Sequence, residues 1–331
     1  MKRAIWVLIA IASIAAAIGW WSGSGSAIPE TSRASAGEAL ATNHAESGQE
    51  LPEVRQDASA KTEHGPPDQY AMPDVREQFR ASKDYWAFAE RIHEAAMRGD
   101  GASQYYLSVA LNTCEFLYRY YFMEQRPGAR PRIRTLDEAQ QLTATRQGSG
   151  YTPDDVRDIQ VRCQRIMKTK PPPFGTAAEW MDAAMVSGYP LAQMNAAFNK
   201  ALQARNNPDP EKSHAALSEA RALAFDALRS KDSEVVWWMA STAAALTGDE
   251  PSEVHKRLWT WRMAACLREA ACDSMTEWKS LLCDADSQCH RDDTVMDVIR
   301  RGVGNDFDEI ERRARELNEK IDAGTVDESD I

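Results

Sequence analysis

The sequence predicts an all-α fold of stacked helical hairpins: an α/α solenoid-like repeat domain stapled by disulfides, preceded by a transmembrane or signal helix and a disordered tether. Three observations predict it. Between about Pro73 and Lys320 apolar residues recur at three- and four-residue spacing, with no convincing run of alternating strand residues. A segment beginning at Ala95 returns, little changed, at Ala183. All six cysteines fall within this helical part. The 331 residues allow one large or two modest domains with a real core. With 39 Lys+Arg against 50 Asp+Glu, a net charge of -11 and no basic cluster, the composition argues against a nucleic-acid surface.

The chain divides into a signal-anchor or signal peptide (1–21), an acidic linker (22–72), the helical repeat domain (73–321) and an acidic flexible tail (322–331). Lys2 and Arg3 precede Ala4 to Trp21, an uncharged apolar run that spans ~27 Å as a helix, close to the thickness of a bilayer core. The basic pair would stay on the cytoplasmic side, with Trp20 and Trp21 at an interfacial aromatic belt. Two readings stand: an anchor retained in the inner membrane, or a signal peptide cleaved after small residues near Ala17 or Ala27. Either exports the remainder, so the expected compartment is a bacterial periplasm, anchored to the membrane or soluble after cleavage. From Ser22 to about Met72 large apolar residues are sparse, and such a stretch cannot bury enough surface to offset its ordering entropy. The tail from Asp322 to Ile331 holds four acids and no base, and is expected to be loose.

Helix starts are written in capping chemistry. Thr152-Pro153-Asp154-Asp155 places an N-cap, a proline at the first helical position and two acids in the first turn. Val156, Ile159, Cys163, Ile166 and Met167 then share one face. Thr135 with Glu138 and Ser274 with Glu277 are further starts of capping-box form. Breaks are expected at Pro127-Gly128, Gly148 to Gly150, Pro171 to Pro173 and Asn207-Pro208.

The two clear repeats run from Ala95-Ala96 through Gly99 to Gln104, and from Ala183-Ala184 through Gly188 to Gln193, aligned with a single-residue gap. In each, small alanines permit close packing, a glycine ends one helix, and Ala plus Gln open the next. Weaker copies from Ala224 to Asp232 and from Trp261 to Cys266 keep the alanines and lose the glycine. In these residues the chain resembles the Sel1-like repeat family, relatives of the tetratricopeptide repeats, in degenerate copies separated by a long excursion from Asn112 to Gly175. The resemblance implies an α-helical solenoid that serves as a protein-interaction scaffold without an active site.

An even cysteine count in an oxidising compartment reads as disulfides. Cys114 and Cys163 each sit on an apolar helical stripe, and a bridge between them would close the excursion onto the first repeat. Cys266, Cys272, Cys283 and Cys289 have gaps of five, ten and five residues. Five is too long for a zinc knuckle, so no metal is expected. Helices meeting in a hairpin would set Cys266 against Cys283 and leave Cys272 to Cys289, although four cysteines allow three connectivities.

No catalytic residue is singled out. His93-Glu94 begins like a zinc-protease helix, but Met97 stands in place of the second histidine. A nucleophile elbow and a phosphate loop are absent, and Gly302-Val303-Gly304 is only a fragment of a dinucleotide fingerprint. Trp237, Trp238, Trp259, Trp261 and Trp278 crowd together, chiefly as core. Adjacent tryptophans cannot both face one side of a helix, which makes Trp237 or Trp238 the candidate partner contact. The expectation is a non-catalytic protein–protein interaction scaffold of the bacterial envelope, binding an unknown protein or peptide through a helical-repeat groove, with no cofactor. The alternative is a periplasmic enzyme acting on cell-wall glycan, which needs one carboxyl of raised pKa in a substrate groove.

Overall fold

Capping side chains set most of the helix boundaries. The computed structural model describes residues 74–124, 132–145, 153–169, 172–247, 251–269, 272 and 293–331. The expected anchor and tether lie outside them, as do Cys283, Cys289, Trp278 and the start at Ser274. The described part is mostly helical, with almost no strand. None of its helices is long and apolar enough to cross a membrane.

Asp74, Asp84 and Asp100 accept from free backbone N–H groups at the starts of α1 (Val75–Ala81), α2 (Tyr85–Met97) and α3 (Gly101–Phe122). A short antiparallel pair, β1 (Met123–Glu124) with β2 (Arg132–Ile133), follows; it is too brief to leave a pattern in sequence. Thr135 and Glu138 make the reciprocal cap that the sequence predicts at the head of α4 (Leu136–Thr145). The α5 helix (Pro153–Lys168) buries Val156, Ile159, Cys163 and Ile166, the predicted stripe. Cys163 is bonded to Cys114 of α3, with their Cα atoms 5.1 Å apart.

The later helices are α6 (Ala177–Val186), α7 (Pro190–Arg205), α8 (Pro210–Leu228), α9 (Ser233–Leu246), α10 (Pro251–Arg268), α11 (Val295–Val303) and α12 (Phe307–Ala323). Packing runs down the chain: α3 against α2, α5 and α6; α7 against α6, α8 and α9; α10 against α9, α11 and α12. One apolar core threads these layers, with Phe88, Leu107, Met194, Met239, Trp261 and Ile299 fully enclosed. Alanine lets the backbones approach: Ala96, Ala110, Ala184, Ala197, Ala224 and Ala264 are completely buried.

The two repeats end in one and the same capping motif. Gly99 (φ +92°) and Gly188 (φ +78°) take the left-handed conformation past α2 and α6. Asp100 N–H donates to the Ala95 carbonyl (3.1 Å), and Tyr189 N–H to that of Ala184 (3.0 Å). Matching these caps pairs Ala95 with Ala184, Gly99 with Gly188 and Gln104 with Gln193, so the gap in the sequence alignment closes. After α8 the same place falls to Lys231, a side-chain-bearing residue at φ +57°.

Two expectations need correction. Cys266 is bonded to Cys272, not to Cys283: α10 stops at Arg268, and Glu269 N–H folds back onto the Ala265 and Cys266 carbonyls. That immediate turn returns the chain to Cys266 within six residues. The expected pairing of Cys272 with Cys289 goes with it. The tail is not loose either, because Ile331 is buried, Trp261 Nε1 donates to the Asp330 carbonyl (3.2 Å) and Lys320 pairs with Asp330. Of the adjacent tryptophans, Trp237 is only 3% exposed, as a core residue, and Trp238 packs half-buried against the core. Because α9 is covered by α7, α8 and α10, both directions taken by adjacent residues meet neighbours.

Candidate functional site

The N-terminal ends of α3, α7 and α9 come together, begun respectively by Asp100, Tyr189 and Asp232. Close approach makes this possible. A Cβ placed on Gly101, at the first position of α3, would lie 2.5 Å from Ser187 Oγ and 3.0 Å from Tyr189 Cβ. Ser108 Oγ fixes α3 to the head of α6 by donating to the Ala177 carbonyl (2.6 Å).

Across these ends lies α1. Arg76 Nε donates to Tyr106 Oη (2.9 Å) and lies 3.7 Å from Glu234 Oε2, its Nη2 pairs with Asp232, and its guanidinium also reaches the Tyr189 hydroxyl. One turn later Arg80 pairs with the other oxygen of Glu234 and with Glu77 (3.1 Å). Tyr106 Oη donates to Glu234 Oε2 (3.2 Å). Asp232 has two duties, since Oδ1 caps α9 by accepting from Glu234 N–H (2.8 Å) while Oδ2 holds Arg76. Between the two arginines, Phe79 enters an aromatic nest, stacked on Tyr85 (centroids 5.1 Å) and tilted against Tyr106 (5.3 Å). Tyr105 and Tyr189 close the far side, 5.3 Å apart.

Burial dominates the electrostatics. It pushes the Glu234 carboxyl above the ordinary carboxylate range, with Arg76 and Arg80 pulling the other way. Burial also opposes the charge on Arg76, yet Glu234, Tyr106 and Asp232 together hold that guanidinium well above its usual value. The Tyr105 and Tyr106 phenols are driven far up by burial and then by Glu234, so they stay protonated. Tyr189 is pushed up to about 12, again chiefly by burial. The chemistry of this notch is recognition of planar cations: two carboxylates and neutral phenols arranged for guanidinium forks.

Two open cavities, of about 570 and 350 Å³, border α1 on its α2 side. Glu77, Ala81, Lys83 and Ala87 line the first, and Val75, Ile92, Ala95 and Ser103 the second. Gln78 and Arg91 line both, and Arg91 Nη1 donates to Gln78 Oε1 (3.3 Å).

A second charged feature surrounds the tryptophans. Arg262 is 4% exposed, with its guanidinium 5.6 Å from the Trp237 ring centroid and 5.3 Å from that of Trp259. Its Nε makes no hydrogen bond, and burial pushes its pKa down to about 10. Trp237 thus serves as a wall of this slot rather than as a contact surface. Sequence reasoning assigned no site role to Arg262 or to any residue of the notch, although Asp232 and Arg262 fall in the weaker repeat copies. The available signals were the adjacent Tyr105-Tyr106 and the Asp232-Ser233-Glu234 helix start. Among the described residues no group of histidine, cysteine and acidic side chains is placed to hold a metal ion. In comparisons with protein-family models, with curated proteins and with solved structures, the chain finds no significant match.

Proposed function

We propose that the chain is a non-catalytic protein-binding scaffold of the bacterial envelope, an irregular solenoid of Sel1-like helical hairpins that recognises a protein or peptide. The observation that carries the binding part is α1 itself: a short helix held across three helix ends by an aromatic plug and two arginines in an acidic notch. Seating a helix in this way is what a helical-repeat scaffold does for a partner. The envelope location rests on the apolar run from Ala4 to Trp21, retained as an inner-membrane anchor or cleaved, and on the disulfides.

A glycan-cleaving enzyme would turn its raised carboxyl toward a substrate groove. Among the described residues Glu234 is the carboxyl that burial raises, and its two oxygens are taken by Arg80 and Tyr106. That supports binding over catalysis.

The test is crosslinking in intact envelopes followed by affinity capture of the tagged full-length chain, beside an Arg91→Glu variant. Arg91 is exposed and lines both cavities, so its reversal alters that surface at the cost of one hydrogen bond to Gln78. One stoichiometric protein recovered with wild type, and lost with a variant that melts at the wild-type temperature, supports the scaffold. Release of sugar fragments from purified cell-wall glycan, abolished by Glu234→Gln, would replace it with the enzyme.

A further inference from the structure

We infer that the notch formed by Tyr106, Tyr189, Asp232 and Glu234 is a receptor for an arginine-bearing amphipathic helix of a partner protein, and that α1 is its resident substitute, which such a helix displaces. The inference rests on the scaffold reading and names the partner's chemistry.

Four observations carry it. The notch matches a helix with arginines four apart and an aromatic residue just before the second, the pattern Arg76, Phe79 and Arg80. Asp232 caps α9 and Glu234 lies in its first turn, so the helix start fixes both acids in place for guanidinium groups; with α1 seated their side chains are 24% and 14% exposed. The α1 helix is a poor permanent occupant. Seven residues cannot hold helical shape alone, so α1 depends on the contacts of Arg76, Phe79 and Arg80 for its place. Finally, the surface beside the notch is open, with two cavities between α1 and α2. A longer helix with the same two arginines would make the same ion pairs and cover that space as well.

Exchange of this kind costs little in electrostatics, because each guanidinium leaving Glu234 or Asp232 is replaced by another. What protects α1 is proximity. Ser82, Lys83 and Asp84 alone join it to α2, so its effective concentration at the notch is high and a free helix competes at a disadvantage. Opening the latch removes that disadvantage and should raise apparent affinity by roughly 10- to 100-fold.

The experiment uses the full-length chain in detergent and a fluorescent synthetic peptide of residues 72–84. Fluorescence anisotropy compares wild type with an Arg76→Ala/Arg80→Ala variant, and with the same variant carrying Glu234→Gln. Binding to the opened latch at least tenfold tighter than to wild type, lost with Glu234→Gln and lost with a peptide lacking both arginines, is the expected result. Equal affinity for wild type and opened latch overturns the inference, as does binding indifferent to Glu234→Gln. If the double variant does not fold, Arg80→Ala alone serves, with an intermediate gain expected and no gain counting against. Light scattering on wild type separates a second copy from a different partner: concentration-dependent dimers abolished by Glu234→Gln would make the occupant another copy of this chain and overturn the heterologous partner. Should the peptide fail while envelope capture still recovers a protein sensitive to Arg91→Glu, the scaffold stands and this notch is not its seat.

Discussion

Arg76 and Asp232 are ion-paired although 156 positions separate them, and the same Asp232 carboxylate caps the helix that carries Glu234. The first described helix and the start of α9 are therefore fastened through one side chain.

Removing Arg80 leaves Glu234 buried with one partner fewer. Arg80→Ala should cost about 2–3 kcal/mol at pH 7 by urea unfolding, and Glu234→Gln in that background should recover part of it. The pH dependence has a definite sign. Glu234 is raised above its ordinary 4.5 in the fold, so the folded state keeps its proton longer than the unfolded chain as pH rises. Stability from this group is present below 4.5 and is lost as pH climbs through the raised value. The Arg80→Ala deficit should accordingly shrink on going from pH 7 to pH 5. A deficit that stays constant would mean Glu234 does not take up a proton there.

His255 carries the opposite sign. Burial lowers its pKa below 6.5, while its Nε2 accepts from Trp259 Nε1 (3.0 Å) and lies 3.2 Å from the Gly302 carbonyl oxygen. The unfolded chain binds the proton first as pH falls, so stability is full above about 6.5 and declines as pH drops toward the lowered value. On going from pH 7.5 to 5.5, the melting temperature of wild type should drop relative to that of His255→Gln.

Lys231 sits at φ +57° where Gly99 and Gly188 occupy the matching caps. Lys231→Gly should stabilise the fold by about 0.5–1 kcal/mol, reduced by the loss of the Nζ hydrogen bond to the Asp322 carbonyl. Lys231→Ala, which loses that bond and keeps the strain, should be less stable than wild type. Urea midpoints for the three proteins decide it.

Gly302 has no room for a methyl group. Its added Cβ would fall 2.2 Å from the Trp259 ring, so Gly302→Ala must push α11 away from α10, at a cost of about 1–3 kcal/mol. The shift would be visible in Trp259 fluorescence.

The disulfides differ in what they constrain. Cys114–Cys163 spans 49 residues and Cys266–Cys272 only 6, which the chain-entropy relation converts to about 4 and about 2 kcal/mol. Cys114→Ser should therefore lower the midpoint more than Cys272→Ser. Peptide mapping under non-reducing conditions should recover Cys266 joined to Cys272.

Local chemistry was legible in the sequence wherever it decides local structure. The Thr135–Glu138 cap, the stripe through Cys163 and the glycines at 99 and 188 are all settled within a few residues of chain, and all lie where expected. The site was not legible, for the same reason. Arg76, Tyr106, Tyr189 and Asp232 come from four distant segments, and nothing near any of them announces the other three. Which of Trp237 and Trp238 is covered was not legible either, because α9 has neighbours on several sides. Cys266 misled because its partner was sought across a hairpin, whereas the end of α10 folds straight back.

The strap of α1 across the helix ends also has a mechanical meaning. A pull on the chain entering at Asp74 does not first peel α2 from α3. It loads Arg76 and Arg80, and through them the start of α9, deep in the stack. Until those ion pairs part, tension is shared among three layers. Once they do, the chain lengthens by one short helix while α2 through α12 keep their packing. Strain entering from the N-terminal side would thereby be absorbed before it reached the core.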